Sequence, residues 1–600
     1  MRYARRLSFS KQWLPAALPL CAALAFGCHG KVGDVGGGAG IGVGGAGGGT
    51  VDTPCSGPAD PRMAVAKQRV LLLTSRELMN TIRYLIDDTL AMNLLNSGMF
   101  NVTAEIDRTF PPADGEALKS IPDRTSLQPI DNIAQAVAQY VFDNFAAVTK
   151  CTTATDACAQ AWLEGLARKA YRRKLTADEL ARFRALYTKL KNHDINCYQV
   201  SASVQQATQY SVYALMMTPQ LLWRWEIGNT AAPSTTPPGL YLTDAELASQ
   251  LSFFMTDQPP DETLLAAAEA GTLRTGLQQQ VTRLLATQQS KDWLRTIMET
   301  FYLINQLPGI INVVDGSKFP VVSNGLLADM QTESRKFLDN VMWGGGSKLT
   351  DFLTSRTAFL NTGLATTIYK VPAPAGATGT NFVQTTLPSD QRSGIITNAG
   401  FITSRARSDR GGVVPRGRAI KAAFLCLITP PPPDAINQPG GAVDQARMKL
   451  ATQTVQEQVA YRAMVPLCRD CHASFDPYGL VLDYYDNIGI YRTADDLGLP
   501  VDAHTNLPAE LGGATVQSAI DLATKLAESP AFVNCMASSV LQYAMVTLES
   551  PVQLPLPPSQ SGCAAADVAQ KFNASSGKSF TDLVNAVTSS PSFVIRGQAP

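Results

Sequence analysis

Hydrophobic residues recur three and four positions apart along most of the chain, which places them on one face of an α-helix. Three of these runs begin with a threonine that is followed three residues later by a glutamate, the capping-box signal for a helix start. The three capping boxes are Thr74/Glu77, Thr176/Glu179 and Thr243/Glu246. Three more predicted helices begin at a proline that follows Ser or Thr, at Pro219, Pro530 and Pro591. Strand-like alternation is scarce, so the pattern predicts a mainly α protein.

Proline and glycine interrupt the helical runs often, so we expect several domains of short helices joined by loops rich in these two residues. Composition changes at residues 229–240, which are predicted to be a linker, at residues 371–388, and at the four prolines of residues 430–433. The predicted segments are 1–27 (signal peptide), 28–60 (lipid anchor and Gly-rich tether) and five helical domains at 61–150, 151–230, 238–370, 385–495 and 510–596.

The N-terminus has the architecture of a secretory signal. Basic residues precede an apolar stretch at positions 13–27, which is too short for a comfortable membrane span of ~20 residues. Two cleavage sites compete. Ala23-Leu24-Ala25 fits a signal peptidase site, whereas residues 25–28 resemble a lipobox that would make Cys28 a lipidated first residue. The Gly-rich segment that follows favours the lipobox, because such a segment is typical of a flexible tether.

These features predict an exported protein. With Cys28 lipidated, it is an outer-membrane or cell-surface lipoprotein that contacts the membrane only through its anchor. With the alternative cleavage, it is a soluble periplasmic protein. The chain has 50 Lys plus Arg and 50 Asp plus Glu, so there is no basic field that would favour nucleic acid.

The segment Cys468-Arg469-Asp470-Cys471-His472 carries the candidate chemistry, because C-x-x-C-H is the attachment motif for one haem c. The two cysteine sulfurs bind the porphyrin vinyl groups covalently, and the histidine is the proximal iron ligand. Two alternatives remain open: a structural thiol pair, and half of a zinc site. Zinc would need more Cys or His at ligand spacing, and no second C-x-x-C exists in the chain.

The other haem contacts are less constrained by the sequence. Candidates for the distal iron ligand are Met536 and Met545, on a predicted helix, and His504, in a polar loop. Arg416 is the best candidate for pairing with a haem propionate, because Pro415 and Gly417 flank it; Arg392 and Arg418 are others.

Seven cysteines remain after the haem pair and the two cysteines near the N-terminus are set aside. In an oxidising compartment most of them should pair. The predicted disulfides join Cys151 to Cys158 and Cys535 to Cys563. The remaining three, one of them unpaired, are Cys55, Cys197 and Cys426.

Several local motifs together resemble those of one family. These motifs are Leu72–Glu77 with Asn80–Arg83, Ala170–Thr176, Leu242–Phe254, Asp390–Ile395, Pro415–Gly417, Cys468–His472, Asp476–Gly479 and Tyr485–Gly489. The chain resembles large secreted bacterial proteins that are built, in this order, from the domains of unknown function 1587, 1595, 1592, 1588 and 1585. Lys174 stands where the 1595 motif usually has proline. The resemblance covers most of the chain past residue 68 and implies a cytochrome-like unit without an assigned substrate.

Three functions follow from these observations. The first is an envelope-anchored monohaem c-type protein that transfers electrons with an unidentified redox or envelope partner. The second is an extracytoplasmic binding or scaffold lipoprotein for polysaccharide or envelope partners, with a structural C-x-x-C pair. The third is a haem enzyme with an open distal site. No catalytic residue is assigned, because no Ser-His-Asp grouping, carboxylate pair or phosphate loop stands out.

Overall fold

The computed structural model describes residues 65, 68–99, 124–192, 203–408, 412–427, 429, 443, 450, 452–495, 498–545 and 558–597, with side chains omitted at 124–127, 467 and 558–562. The signal peptide, Cys28, the tether, Cys55, Cys197 and the prolines of residues 430–433 lie outside these residues. Cys55 to Pro600 form one compact unit.

The described part of the chain is mainly helical, as the hydrophobic pattern predicts. Among the described residues of the first part of the unit, eight helices lie between two strands. These elements are strand Arg69–Leu72, helices Ser75–Leu85, Asp88–Asn96, Arg124–Asp143, Phe145–Thr149, Asp156–Tyr171, Ala177–Lys191, Val204–Met216 and Pro219–Leu222, and strand Trp223–Glu226. The two strands pair antiparallel, with Arg69 opposite Glu226.

The middle of the chain begins with a β-hairpin and continues through helices that build the larger core. These elements are strands Pro233–Thr235 and Pro238–Tyr241, helices Asp244–Thr256, Glu262–Glu269, Leu277–Leu285, Gln288–Phe301, Ile304–Asn312 (3₁₀), Asn324–Trp343 and Asp351–Thr354, strand Thr357–Leu360, helices Thr362–Leu364 and Ala365–Tyr369 (π), and strand Val383–Thr386. The hairpin spans Pro233–Tyr241, so most of residues 229–240, which the sequence predicts to be a linker, is occupied by this hairpin. Its second strand pairs with strand Ile595–Arg596, which closes a three-stranded sheet.

Short helices carry the C-x-x-C-H motif, and longer ones complete the chain. These elements are helices Ile395–Thr397 (3₁₀), Ala399–Thr403, Val413–Leu425, Val455–Met464, Pro466–His472 and Asp476–Leu480, strand Thr505–Asn506, helix Ala509–Leu511 (3₁₀), strand Thr515–Val516, helices Ala519–Glu528, Pro530–Met545, Pro558–Ala574, Phe580–Thr588 and Pro591–Val594, and strand Ile595–Arg596.

The predicted helix starts are confirmed. At all three capping boxes the threonine hydroxyl accepts a hydrogen bond from the glutamate N–H, and the glutamate carboxylate accepts one from the threonine N–H. Each arrangement satisfies two backbone donors that the helix itself cannot pair. Helices also begin at Pro219, Pro530 and Pro591.

Buried apolar side chains form two cores. The smaller core lies in residues 73–222, with Phe253 added from the following segment. The larger one extends from residue 242 to residue 593. At its centre, Tyr302 stacks on Phe424 with ring centroids 5.4 Å apart. Helices on both sides of the C-x-x-C-H motif in the sequence, from residue 242 to residue 593, therefore pack into one core.

One of the two predicted disulfides forms and the other is wrong. Cys151 bonds Cys158. Cys535 bonds Cys426 rather than Cys563, because helices Val413–Leu425 and Pro530–Met545 pack together and bring the two Cα atoms to 5.2 Å. Cys563 is also disulfide-bonded. Disulfides persist in oxidising compartments, so these bonds agree with an extracytoplasmic protein.

A buried ion network joins the first strand pair to the last strand. The Glu226 carboxylate, which is 0% exposed, accepts hydrogen bonds from Arg596 Nε at 2.8 Å, Arg69 Nε at 2.9 Å and Arg224 Nη2 at 3.3 Å. Arg224 also donates to Glu77 at 3.0 Å. Two carboxylates thus neutralise most of the charge of three arginines in a place with little water.

In the described residues, no helix is both long and apolar enough to cross a membrane.

Candidate functional site

The C-x-x-C-H motif lies on the helix Pro466–His472. Val465 precedes it in an extended conformation, and Pro466 occupies the first helical position, where a missing N–H costs nothing. Cys468 and Cys471 are three residues apart, so the helical geometry puts both side chains on the same face.

Both cysteines of the motif are free thiols and partly exposed. The other cysteines of the described residues, at positions 151, 158, 426, 535 and 563, are all disulfide-bonded. The motif therefore presents two thiols available for a covalent bond in a chain that otherwise pairs its described cysteines.

His472 is held by a buried carboxylate. Its Nδ1 lies 3.1 Å from Asp476 Oδ1, and the other carboxylate oxygen of Asp476 accepts a hydrogen bond from Arg462 Nε at 2.6 Å. Because a carboxylate only accepts, the contact assigns the ring proton to Nδ1. The other ring nitrogen, Nε2, makes no hydrogen bond to a described residue and is the one left to bind a metal.

The surroundings of the motif fix this geometry from two sides. The Phe475 ring packs against the imidazole of His472, with centroids 4.9 Å apart. On the other side, Lys421 donates to Ser474 Oγ at 2.8 Å, and Ser474 in turn donates to the Cys471 carbonyl at 2.8 Å. Burial lowers the pKa of Lys421, while the nearby Glu510 carboxylate and Cys471 sulfur oppose that effect.

Two glycines allow the segment after the motif to approach the helix Val413–Leu425 closely. A Cβ on Gly417 would lie 2.1 Å from the Phe475 carbonyl oxygen, and one on Gly479 would lie 2.0 Å from the Val413 carbonyl oxygen. Both distances are far below van der Waals contact, so only glycine fits. The motif Asp476–Gly479 forms most of the short helix Asp476–Leu480, which makes this contact.

Arg416, which the sequence suggested as the partner of a haem propionate, is instead buried and engaged by backbone carbonyls. The residue is 1% exposed, and its Nη1 donates to the carbonyls of Leu482 at 3.0 Å and Tyr485 at 2.8 Å. Its Nη2 donates to the Asp486 carbonyl. Arg416 therefore ties the helix Val413–Leu425 to the chain after the motif.

Arg392 is also structural. It donates to the carbonyls of Thr397 and Gly489, both at 2.7 Å, and its guanidinium lies over the rings of Tyr369 and Tyr485. Arg418 remains at an accessible position, where Nη2 lies 3.4 Å from the Thr429 carbonyl.

The two methionine candidates for the distal ligand lie in the larger core, which contradicts the expectation for both. The Met536 sulfur accepts a hydrogen bond from the Tyr302 hydroxyl at 3.7 Å, and the Met545 sulfur accepts one from the Gln250 amide at 3.6 Å. Both side chains are fully packed among apolar residues, so neither presents its sulfur to a ligand on the surface.

His504 lies in an exposed loop, and its side chain is 60% exposed. Its Nδ1 lies 2.5 Å from Asp502 Oδ1 and 3.1 Å from the amide nitrogen of Gln456. Gln456 belongs to the helix Val455–Met464, which packs against the motif helix. His504 therefore stays a predicted distal ligand and is connected to the motif through this helix.

Sequence reasoning missed Asp476 and Lys421 as neighbours of the motif. His472 and Asp476 are four residues apart but lie on successive short helices joined by a turn at residues 473–475, so their spacing alone did not predict the contact. Nothing local could have indicated Lys421, which comes from a helix that precedes the motif by many residues. In the described residues, no group of three or more His, Cys, Asp and Glu is arranged to hold a metal ion.

Two family models match the chain. Residues 242–371 match PSD4, described as a protein of unknown function (DUF1592), and residues 392–495 match PSCyt3, described as a protein of unknown function (DUF1588). No curated protein and no solved structure matches the chain. The resemblance to the 1592 and 1588 domains is thus confirmed, and those to 1587, 1595 and 1585 stay predictions. The comparisons thus show one DUF1592-like region and one DUF1588-like region in this chain.

Proposed function

We propose that the motif helix binds one haem c covalently and that the protein transfers electrons at the cell envelope. Cys468 and Cys471 hold the group and His472 is its proximal ligand. One observation carries the proposal: two free thiols on one helix face are followed directly by a histidine whose Nδ1 is held by a buried carboxylate. A haem supplies one-electron chemistry when bound. The cytochrome-like name of the matching domain agrees with this assignment.

The residues around the motif orient this donor set. Asp476 fixes the tautomer and rotation of the His472 ring, and Arg462 holds Asp476 in place. Ser474 and Lys421 anchor the carbonyl end of the helix at Cys471. The site is thereby preorganised by side chains on three different helices.

The proposal is tested by haem staining of denatured protein from a strain that matures c-type cytochromes. The wild-type band should keep the stain, because thioether bonds survive denaturation, and Cys471→Ser should lose or weaken it. A colourless wild-type protein from that strain would refute the proposal.

Asp476→Asn is expected to raise the midpoint potential of the matured protein. The amide is a weaker acceptor than the carboxylate, so His472 donates less charge to the oxidised iron. We expect a shift on the order of 60 mV, which corresponds to a tenfold change for a one-electron couple. Potentiometric titration measures it. Asp470→Asn is the control, since its carboxylate is 79% exposed, and equal potentials in the two variants would argue against the positioning role of Asp476.

We further propose that Cys28 anchors the protein to a membrane surface. Two acyl chains bind a membrane firmly, whereas one chain binds only marginally. In cell fractionation, wild type should sediment with membranes and Cys28→Ala should be soluble. Cys21→Ala is the control, because both cleavage sites remove that residue. Recovery of wild type as soluble protein that begins at Phe26 would eliminate the lipoprotein proposal.

A second candidate function is a haem enzyme with an open distal site. The core positions of Met536 and Met545 favour it over a methionine-ligated centre. Binding of carbon monoxide by the reduced protein would support this candidate, and an unchanged spectrum would support electron transfer with a bound distal ligand such as His504.

A further inference from the structure

A cleft of about 270 Å³ lies apart from the C-x-x-C-H motif, between the end of the helix Asp156–Tyr171, the strand Trp223–Glu226 and the helix Asp244–Thr256. The volume is close to the lower end of about 300–1,000 Å³ that is typical of small-molecule sites. The residues that line it are Tyr171, Arg172, Arg173, Gln220, Trp225, Thr243, Ala245, Glu246 and Ser249.

The charged residues of this cleft are already occupied by the protein. Arg172 is buried and donates to the carbonyls of Gln220 at 2.8 Å and Trp223 at 2.6 Å. Arg173 makes two hydrogen bonds of 2.8 Å to the Glu179 carboxylate. Glu246 accepts from backbone N–H groups, including that of Thr243 at 2.9 Å. A ligand therefore meets charged side chains whose donor and acceptor atoms are already engaged within the protein, which disfavours a ligand held by a new ion pair.

The uncharged residues, in contrast, are available. Trp225 is 41% exposed, although large apolar side chains are usually covered. It is exposed because Arg224 and Glu226, its neighbours on the strand, point into the buried ion network, so that alternation turns Trp225 outward. The Gln220 amide and the Ser249 hydroxyl make no side-chain hydrogen bond to a described residue, and Tyr171 is half-buried beside them.

We propose that this cleft binds a neutral saccharide. One face of a pyranose ring carries only C–H groups, which pack on an aromatic ring such as that of Trp225, while its hydroxyls both donate and accept hydrogen bonds. An amide and a hydroxyl offer both functions, so Gln220 and Ser249 match this ligand without any charge. The inference rests on the cleft alone and does not depend on haem binding.

The test is isothermal titration of the full-length protein with three soluble probes: cellohexaose, maltohexaose and the hexamer of N-acetylglucosamine. At least one should bind with a dissociation constant below about 1 mM. Trp225→Ala should weaken that binding about tenfold, as expected for the loss of an aromatic stacking partner, and Trp225→Phe should restore most of it. Val321→Ala, which removes another exposed apolar side chain, is the matched control and should bind as wild type does.

Two results would overturn the proposal. The first is the absence of binding by wild type to all three probes, or binding that Trp225→Ala leaves unchanged. The second is binding of a proline-rich decapeptide at this cleft in place of the saccharides, because aromatic grooves also recognise such peptides. Circular dichroism of Trp225→Ala separates loss of binding from loss of folding.

Discussion

Replacing Glu226 with glutamine is expected to destabilise the folded protein by about 3–5 kcal/mol, the usual cost of breaking a buried ion pair by removing one partner. Burial alone would raise the pKa of Glu226, but the positive charges of Arg596, Arg69 and Arg224 hold it below its usual range. Without the carboxylate, Arg596 keeps its charge in a fully buried position, beside two other arginines. Chemical denaturation at neutral pH measures the loss.

The same carboxylate gives the stability a defined pH dependence. Because the pKa of Glu226 is lower in the folded than in the unfolded state, its contribution is complete above the unfolded value of about 4.3 and is lost as the pH falls toward the folded value. Wild type should therefore lose stability on acidification more steeply than Glu226→Gln does.

Glu528→Gln is the matched control for this experiment. Glu528 pairs with Lys525 at 2.9 Å, but its side chain is 59% exposed, so the exchange should cost less than about 1 kcal/mol. Equal effects of the two exchanges would mean that the network around Glu226 does not hold the strands together.

Gly417→Ala is expected to weaken the packing of the motif segment by about 1–3 kcal/mol and to reduce haem incorporation. The new methyl group would meet the backbone of Phe475, whose carbonyl oxygen lies 2.1 Å from the Cβ position. Backbone atoms cannot move away as a flexible side chain can, so the segment that follows His472 must shift. Unfolding curves and the haem-to-protein ratio measure the two effects.

Gly165→Ala separates this clash from helix propensity. Gly165 is also within a helix, Asp156–Tyr171, but a Cβ there meets no atom within 4 Å. Alanine should stabilise that helix by about 1 kcal/mol. If both alanine variants were equally stable, the close contact between Gly417 and Phe475 would not constrain the fold.

Local signals predicted the helices well. A capping box involves residues three apart, so Thr74 and Glu77 carry the information for a helix start by themselves. The strand pairs could not be predicted in this way, because Arg69–Leu72 pairs with Trp223–Glu226, which lies more than 150 residues later in the chain. Cys426 and Cys535, 109 residues apart, likewise meet only through the packing of two helices.

In the candidate site, too, local sequence signals predicted some features, while tertiary packing decided others. The motif itself identified its two cysteines and its histidine as the candidate donor set, since its chemistry is contained in five consecutive residues. Arg416 and Met536 looked suitable by residue type alone, but burial decided their roles. The Arg416 guanidinium donates to three backbone carbonyls, and the Met536 sulfur is packed in the core, so neither is free to contact a haem. The sequence pattern did not indicate that these two positions are buried in this way.

The central claim is tested most directly by mass spectrometry of the peptide that contains residues 468–472, from full-length protein matured in a strain that attaches haem c. The account predicts a peptide that carries one haem through two thioether bonds, with both Cys468 and Cys471 modified. Recovery of this peptide only as two free thiols, or as a Cys468–Cys471 disulfide, would contradict it.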